Sequence, residues 1–387
     1  MPRGFNELAD VQEFLLPPGN NVNAQGIDYN VMWRLFQESI QILNNDRDPL
    51  LRLLTFPVTQ PVEQIRWPVI EGFEEASEYG VPKGVRVAPA AYTFGYNFRW
   101  FDIATRYTWQ ALLDMSPQQL LAINNSVLAA DLDNQYFQVM KTVFNSANET
   151  ATIYNQNVNV YKFWNADGTV PPPYKTLTHD GTHTHYLATN HPAGGAGPDS
   201  ADIELIETHF RHHGISVQNG YRLVLLVNPQ EGARIREFRR GTDSQPDATA
   251  TAFPKYDFIP GPDYGGGIIM PEGQIMGGQT ALQNIPGFVS VGVYGPFTIV
   301  EDDMVPAGYI ASFATGGELA PGNPVGVREH DNPQGRGLQL LGGPDRDYPL
   351  KESYYVHGFG TGIRNRSGGV VMQVTTGASY TTPSAYV

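Results

Sequence analysis

The spacing of apolar residues predicts two helices in the first part of the chain. From Asp28 to Leu43 the apolar positions recur at helical intervals and form a single stripe. A second stripe follows Ser116-Pro117-Gln118-Gln119, which offers an N-cap residue, a proline for the first turn and a glutamine at the capping-box position. We therefore predict a helix over 117–144 that is roughly 42 Å long, more than twice the average length. A rod of this length is typical of a brace in something larger than a compact domain.

Between these two helices, alternation of apolar and polar residues predicts a long β-hairpin. On the outgoing side, Ile65, Trp67 and Val69 alternate with Gln64, Arg66 and Pro68. The returning side alternates over about nine residues, roughly 30 Å, and carries five aromatic residues: Tyr92, Phe94, Tyr96, Phe98 and Trp100. The tip between the two sides contains glycine and several charged residues, among them Glu71, Glu74, Glu75, Glu78, Lys83 and Arg86.

The aromatic face of this hairpin needs a cover. A two-stranded hairpin is marginal alone in water, and five aromatic residues on one face would expose a large apolar patch. Two interpretations stay open at this point. Either the hairpin lies within an ordinary sheet of its own chain, or a second subunit covers the aromatic face.

The rest of the chain mixes helices and strands, which predicts an α+β fold. A shorter helix is expected from Ser200 to His213, ended by Gly214. The apolar run Leu223–Val227 predicts a buried strand, closed by Asn228-Pro229 and followed by a short helix. Residues 260–295 are rich in glycine and proline and should form loops between short strands. Alternation returns between Tyr354 and Gln373 and predicts closing strands.

Composition narrows the class of protein. Hydrophobic residues make up 41% of the 387 residues and charged residues only 17%, so the chain is globular and has few charges for a solvated surface. There is no cysteine, which excludes disulfides, thiolate metal sites and a cysteine nucleophile. Neither a signal peptide nor a run of about eighteen apolar residues is present. We therefore expect a soluble product, made in a cytoplasm, without membrane partners.

The charge of the chain argues against a nucleic-acid-binding protein. The formal net charge is -14, and an acidic surface is poorly suited to holding phosphates. The only basic cluster contains Arg234, Arg236, Arg239 and Arg240. We interpret this cluster as a face that forms salt bridges with an acidic neighbouring subunit, and contact with DNA or RNA is the alternative.

Histidines are the strongest candidates for chemistry. His179, His183 and His185 lie close to Asp180, and this set has the residue types that hold zinc or iron. Polar loop residues are the plainer interpretation, because a metal enzyme also needs further ligands and a pocket. A predicted helix ends with His209, Arg211, His212 and His213, where cationic groups interact favourably with the helix dipole. No nucleophile elbow, phosphate-binding loop or dinucleotide motif occurs, so we predict no catalytic, cofactor-binding or metal-binding residues.

The order of elements resembles the Hong Kong 97-type major capsid proteins of tailed bacteriophages. Three stretches look like recurrent segments of that family: Gly220–Pro229, Glu301–Ile310 and Arg364–Val371. The stretch Thr182–Leu187 is most similar to capsid proteins of phages that infect actinobacteria. The resemblance implies five parts. They are an N-terminal arm with a short helix (1–55), an extended loop (56–107), a peripheral domain with the spine helix 117–144 (108–220), an axial domain (221–320) and C-terminal strands that return to those two domains (321–387).

The resemblance also implies a structural protein and not an enzyme. Such subunits assemble in the host cytoplasm into hexamers and pentamers that form the virion shell around double-stranded DNA. The implied partners are further copies of the chain, a separate scaffolding protein, a portal and a decoration protein, and no cofactor is expected. An encapsulin-like compartment, which shares the fold, and a metal-dependent enzyme using His179, His183 and His185 are the alternatives.

The implied contacts between subunits lie on the extended loop. The residues expected there are Trp67, Glu74, Glu75, Glu78, Lys83, Arg86, Phe94, Tyr96, Phe98 and Trp100. Some relatives join a lysine of this loop covalently to an asparagine of a neighbour. Lys83 is the only lysine near the tip, and whether it is crosslinked stays open.

Overall fold

The computed structural model describes residues 29–45, 48–65, 68–69, 73, 75–76, 78–81, 84, 86–87, 92–191, 197–245, 251–261, 290–342 and 350–387. Within these residues the helices are α1 (Tyr29–Asn45), α2 (Pro49–Leu54), α3 (Trp109–Asp114), α4 (Pro117–Phe144), α5 (Ser200–His212) and α6 (Pro229–Ile235). The strands are β1 (Thr55–Val58), β2 (Val62–Ile65), β3 (Pro68–Val69), β4 (Arg86–Val87), β5 (Tyr92–Gly95), β6 (Arg99–Thr108), β7 (Glu149–Ile153), β8 (Gln156–Val160), β9 (Tyr186–Ala188), β10 (Arg222–Val227), β11 (Ile259–Pro260), β12 (Ser290–Tyr294), β13 (Phe297–Glu301), β14 (Tyr309–Thr315), β15 (Val325–Glu329), β16 (Leu338–Gly342), β17 (Leu350–Ile363) and β18 (Gly369–Gln373). This content confirms an α+β fold.

Helix α4 begins and ends at the predicted residues, and its start is fixed by a first turn that is capped in both directions. The Ser116 hydroxyl accepts a hydrogen bond from the Gln119 amide at 3.3 Å. The Gln119 side chain in turn accepts one from the Ser116 amide at 3.0 Å. This capping box satisfies two backbone donors that a helix start leaves unpaired. The predicted helices near residues 28–43 and 200–213 are also confirmed, as α1 and α5.

A seven-stranded sheet with the order β11-β12-β13-β10-β14-β18-β9 forms one half of the molecule. Its central strand β10 is buried apart from Arg222, as the apolar run predicted. Alternate residues of β10 enter two cores: Leu223, Leu225 and Val227 pack with α5, and Val224 and Leu226 pack with the end of α4. Helices therefore cover both faces of this strand.

A five-stranded sheet is built around the long strand β17. Strands β15 and β16 pair antiparallel with it, β6 pairs with it over Arg99–Thr108, and β1 adds to β15 in parallel. The last two turns of α4 contribute Val139, Met140, Val143 and Phe144 to a core that contains strands of both sheets. The spine helix thus joins the two halves through its buried C-terminal end.

Within the described residues, no helix has the length and apolarity that crossing a bilayer requires.

The predicted hairpin is present, but its returning side is not one strand. Strand β2 pairs antiparallel with β5, and β3 pairs with β4. The nine-residue strand from Tyr92 to Trp100 was wrong, because β5 ends at Gly95 and β6 begins at Arg99. Between them the chain crosses over β17, where the Asn97 amide donates to the Thr361 carbonyl at 3.2 Å. The crossing interrupts the strand and carries the chain from the hairpin into the five-stranded sheet.

Two sequence predictions lie partly outside the described residues. The N-terminal arm (1–55) is described only from Tyr29 onward. Of the glycine- and proline-rich region 260–295, residues 262–289 also fall outside. The closing strands predicted between Tyr354 and Gln373 are confirmed as β17 and β18, and they belong to different sheets.

Candidate functional site

The structure describes only part of the predicted contact surface on the hairpin. Trp67, Glu74 and Lys83 lie outside the described residues, and Arg86 is described only as part of the backbone of β4. Glu75 and Glu78 are exposed at the tip. That Trp67, Glu74, Glu75, Glu78, Lys83 and Arg86 contact another subunit stays a prediction.

Phe94 and Tyr96 are not available to a second subunit, which corrects the prediction for these two residues. Both side chains are fully buried in their own chain. The Phe94 ring packs edge-on against Tyr161 at 5.7 Å between ring centroids, and Tyr96 packs with Phe56 and Val58. The physical reason is the break after β5, which turns this part of the hairpin onto its own subunit. For these two aromatic residues, the interpretation of cover within the same chain was the right one.

Phe98 and Trp100 lie where the hairpin enters the five-stranded sheet. The two rings pack edge to face at 5.4 Å, and both pack against His330. The Arg328 guanidinium lies over the Phe98 ring at 5.1 Å. Trp100 nevertheless remains 53% exposed, and Ile103 on the same strand remains 47% exposed. Strand β6 therefore presents apolar surface that the described part of its own chain does not cover.

The tip of the hairpin exposes large apolar side chains that the sequence reasoning missed. Phe73, Tyr79 and Val81 have relative exposures of 110%, 91% and 92%. The charged residues around them favoured an electrostatic interpretation of the tip. The available signal was that three large apolar residues stand among the charged residues of a turn region.

Polar contacts fix the base of the hairpin. The Arg364 guanidinium lies 3.3 Å from the Glu63 carboxylate on β2 and 3.9 Å over the Phe56 ring. The side-chain amide of Asn97 donates to the Glu149 carboxylate. This carboxylate also pairs with the buried Lys162 ammonium at 2.8 Å. Burial opposes ionisation of Glu149, yet Lys162 and Asn97 hold its pKa below the ordinary value. The hairpin is thus anchored at its base, so its exposed tip projects from a fixed support.

The arginine cluster finds its described partners inside the subunit. Arg234 pairs with Glu237 at 2.8 Å, and Arg236 pairs with Glu301. The Arg239 guanidinium donates to backbone carbonyls, and the Arg240 side chain donates to the Lys255 carbonyl at 2.6 Å. Arg234 and Arg236 thus have acidic partners within the subunit, and the pairing of this face with a neighbouring subunit stays a prediction.

The two groups of histidines that looked separate in sequence form one cluster. The loop before β9 brings His179, His183 and His185 against the C-terminal end of α5, where His209, His212 and the C-cap residue His213 lie. The Nε2 atoms of His183 and His213 are 2.9 Å apart. Those of His185 and His183 are 3.1 Å apart, and those of His185 and His213 are 3.0 Å apart. The helix-dipole interpretation named His213 but did not connect it with His183 and His185, because the loop and the helix end are distant in sequence.

Burial and neighbouring imidazoles favour the neutral form of three rings in this cluster, and each lowered pKa has a physical cause. Burial, followed by the neighbouring imidazoles, lowers the pKa of His183 to about 4 and that of His213 to about 3. Burial also places the pKa of His185 well below its ordinary value. The Nδ1 atom of His185 lies 2.7 Å from the Gly369 carbonyl oxygen, so it must carry the proton and donate. The Nε2 atom of His185 is then left with a lone pair that points at the other two rings.

Solved structures provide similar chains over nearly the full length of this one. A structure from Mycobacterium phage Patience is 38% identical, with a TM-score of 0.72, and the match covers 95% of this chain and 93% of that chain. The mature capsid of bacteriophage PhiM1 is 12% identical, with a TM-score of 0.46 and coverage of 84% and 86%. The holo-SrpI encapsulin complex from Synechococcus elongatus PCC 7942 is 12% identical, with a TM-score of 0.43 and coverage of 86% and 90%. No family model and no curated protein matches the chain.

Proposed function

This chain belongs to the Hong Kong 97-type major capsid proteins of tailed bacteriophages, and from that premise we propose that its hairpin is the arm by which each subunit holds a neighbour. The protein is a structural component of the virion, and its copies assemble into the capsid shell. What remains to be assigned is which surfaces of the subunit make the contacts.

The exposed tip of the hairpin carries the proposal. Phe73, Tyr79 and Val81 are almost completely solvent-exposed in the single subunit. Burying a large apolar side chain contributes about 1.5–3 kcal/mol, so leaving three of them in water is unfavourable unless a partner covers them. A second copy of the chain is the partner that a shell protein always has beside it. Because closed symmetry repeats each contact, a modest contribution per tip is multiplied over the whole shell.

Strand β6 supplies a second proposed contact. Among the described residues it pairs only with β17, so its other edge meets no strand of that set. Trp100 and Ile103 add apolar surface beside this edge. Long apolar edge strands are normally covered, since they otherwise invite unwanted pairing. We propose that another subunit packs against Phe98 and Trp100. We also propose that Glu75, Glu78, Lys83 and Arg86 pair with residues of opposite charge on that subunit.

The division of the chain follows the two sheets. Helix α4, which packs against β17, supports a peripheral domain within 108–220, and the five-stranded sheet joins β1 and β6 to strands of 321–387 beside it. The seven-stranded sheet supports an axial domain within 221–320. Strand β9 and helix α5 precede residue 221 but belong to the layer of the seven-stranded sheet, so we count them with the axial domain. The C-terminal region 321–387 then contributes β17 to one domain and β18 to the other.

We further propose that the subunits form hexamers and pentamers around double-stranded DNA, in the host cytoplasm, with a separate scaffolding protein, a portal and a decoration protein. Electron microscopy of the expressed protein, alone and with proteins encoded beside it, tests this assembly. Closed icosahedral shells are the expected result. Shells that enclose an enzyme cargo and no DNA in the native particle would support the encapsulin-like alternative. A subunit that stays monomeric in every combination would contradict the proposal.

A further inference from the structure

The histidines of this chain are concentrated at the C-terminal end of α5. Six of the nine histidines of the chain gather at one place, and three of them direct their Nε2 atoms at a common point. Three neutral imidazoles so arranged cannot all satisfy one another, because each neutral ring offers one donor and one acceptor and its Nε2 has a single role. The Nε2 atom of His185 has already become an acceptor through the bond of its Nδ1 atom to Gly369.

We propose that His183, His185 and His213 bind one divalent transition-metal ion of the Zn²⁺, Co²⁺ or Ni²⁺ class through their Nε2 atoms. A nitrogen ligand lies about 2.0–2.1 Å from such an ion. At that bond length the observed separations of 2.9–3.1 Å correspond to angles of about 95° at the metal. The three rings therefore occupy adjoining positions around one ion and leave further positions for other ligands.

His179 is placed to complete the site. One of its ring nitrogens lies within 4.8 Å of the ligand atoms of His183 and His213. Its Nε2 atom is buried and has no hydrogen-bond partner among the described residues. The His179 ring also stacks on His213 at 4.6 Å between centroids. A small rotation of this ring would supply a fourth imidazole, and a bound ion would satisfy a nitrogen that otherwise lacks a partner.

The donor set selects the class of ion. All three ligands are imidazoles, and the nearest carboxylate of the loop, Asp180, is exposed and bonded to Thr182. Imidazole suits zinc, nickel, cobalt and copper, whereas magnesium and calcium need oxygen ligands. The bond from His185 to Gly369 is the kind of outer contact that orients a ligating ring.

A second group in the chain shows why proximity alone is not enough. His191, Asp199 and Asp202 also bring ligand atoms within 4.8 Å of one another. Asp199 and Asp202 are, however, the two members of the capping box of α5. The remaining oxygen of Asp202 is paired with His191 at 2.8 Å. These polar atoms are satisfied by the protein itself, so that group carries no metal proposal.

The proposed ion would connect the loop before β9 with the end of α5 and, through His185, with β18 of the seven-stranded sheet. His183 and His185 come from the loop that leads into β9, His213 caps the end of α5, and Gly369 begins β18. Strand β9 lies at the edge of the seven-stranded sheet and is only three residues long. An ion that binds only the folded chain stabilises it, by an amount that grows with the logarithm of its concentration divided by its dissociation constant. Metal would therefore hold this short edge strand in place.

Metal analysis of the full-length protein tests the inference. The protein is dialysed against a chelator, reloaded with Co²⁺ or Zn²⁺ and freed of loosely bound ions. Bound metal per chain is then measured by elemental analysis, and the visible absorption of Co²⁺ reports its coordination. We expect about one ion per chain. His213→Gln and His183→Gln, whose rings are only partly buried, should each weaken binding by more than about 100-fold, the upper end for loss of a mere outer contact.

His330→Gln is the matched control, because His330 packs against Phe98 and Trp100 and not in the cluster. This variant should retain the metal content of the wild type. Wild-type protein without stoichiometric metal after reloading would overturn the proposal, and so would a folded His213→Gln variant that binds as tightly as the wild type. Should one glutamine variant fail to fold by circular dichroism, the other variant and the wild-type stoichiometry still decide. The readout does not require shells, so a failure here is distinct from a failure of the assembly proposal.

Discussion

The carbonyl oxygen of Asn97 occupies the space beside Gly360 where a Cβ atom would stand. The neighbouring alternate glycines repeat this close approach: Gly358 lies under the rings of Trp100 and Phe98, and Gly362 lies under Tyr96. Three glycines at period two therefore form a bare strip on one face of β17. The chain that leaves the hairpin crosses β17 on this strip.

Replacing Gly360 with alanine should disrupt this crossing. The added methyl group would overlap the Asn97 backbone, which cannot rotate away as a flexible side chain could. Overpacking of this kind costs about 1–3 kcal/mol and more where backbone must move, so we expect at least about 3 kcal/mol of lost stability. Denaturant unfolding of the unassembled subunit measures it. Gly322→Ala, where no atom lies within 4 Å of the new Cβ, is the control and should be close to neutral. Equal stability of the two variants would contradict the crossing described above.

The start of the spine helix offers a second test of stability. Ser116→Ala removes the acceptor for the Gln119 amide and should lower the free energy of unfolding by about 1 kcal/mol. Ser126→Ala is a matched control within the same helix, because the Ser126 hydroxyl only donates to the Ala122 carbonyl and is exposed. Alanine has the higher helix propensity, so Ser126→Ala should be neutral or slightly stabilising. A similar loss in both variants would show that the cap does not matter.

Local signals in the sequence sufficed for the elements that depend on near neighbours. The capping box at Ser116 and the apolar stripe located α4, and the apolar run from Leu223 placed β10 in the core. The hairpin was also found, because alternation and a polar tip are local features. The break at Tyr96–Phe98 was not, since it depends on Gly358, Gly360 and Gly362, which lie more than two hundred residues away in sequence.

The candidate sites show the same limit. The sequence grouped His183 with His185 because they are two residues apart, but only the fold brings His213 to them across almost thirty residues. For the hairpin, the sequence identified an apolar surface but gave the same role to Phe94 and Tyr96, which their own chain buries, as to Trp100, which stays exposed. Burial by distant elements decides which aromatic residues remain exposed, and periodicity alone carries no information about that.

Alkaline pH should destabilise the subunit through its buried tyrosines. Burial raises the pKa of Tyr186 and of Tyr380 above the ordinary value near 10, so both stay protonated in the folded chain. In the unfolded chain they ionise near pH 10. The unfolded state then binds fewer protons than the folded state, and stability falls as pH rises, by about 1.4 kcal/mol per pH unit for each such tyrosine. Below pH 10 these groups contribute no slope.

Unfolding by denaturant between pH 8 and about 11 measures this dependence. Tyr380→Phe loses the bond from its hydroxyl to the Phe144 carbonyl, and its curve should start lower but fall less steeply above pH 10. Tyr79→Phe serves as the control, because Tyr79 is exposed in the folded subunit and its removal should leave the slope unchanged. A stability that stays flat through pH 11, or the same slope in all three proteins, would contradict the argument.

The hairpin tip allows assembly to be separated from folding. Val81→Ser and Val217→Ser make the same chemical change at two exposed valines, one on the tip and one in the 3-10 turn before β10. Both valines are exposed in the single subunit. Neither substitution should therefore change the free energy of unfolding of the monomer by more than about 0.5 kcal/mol. In the shell, however, every subunit would lose apolar contact at Val81, and Phe73→Asp would place a charge in the same interface. We therefore expect sedimentation and electron microscopy to show few or no shells for Phe73→Asp, fewer shells for Val81→Ser and normal yield for Val217→Ser. Normal shells from Phe73→Asp would mean that the tip does not hold a neighbour.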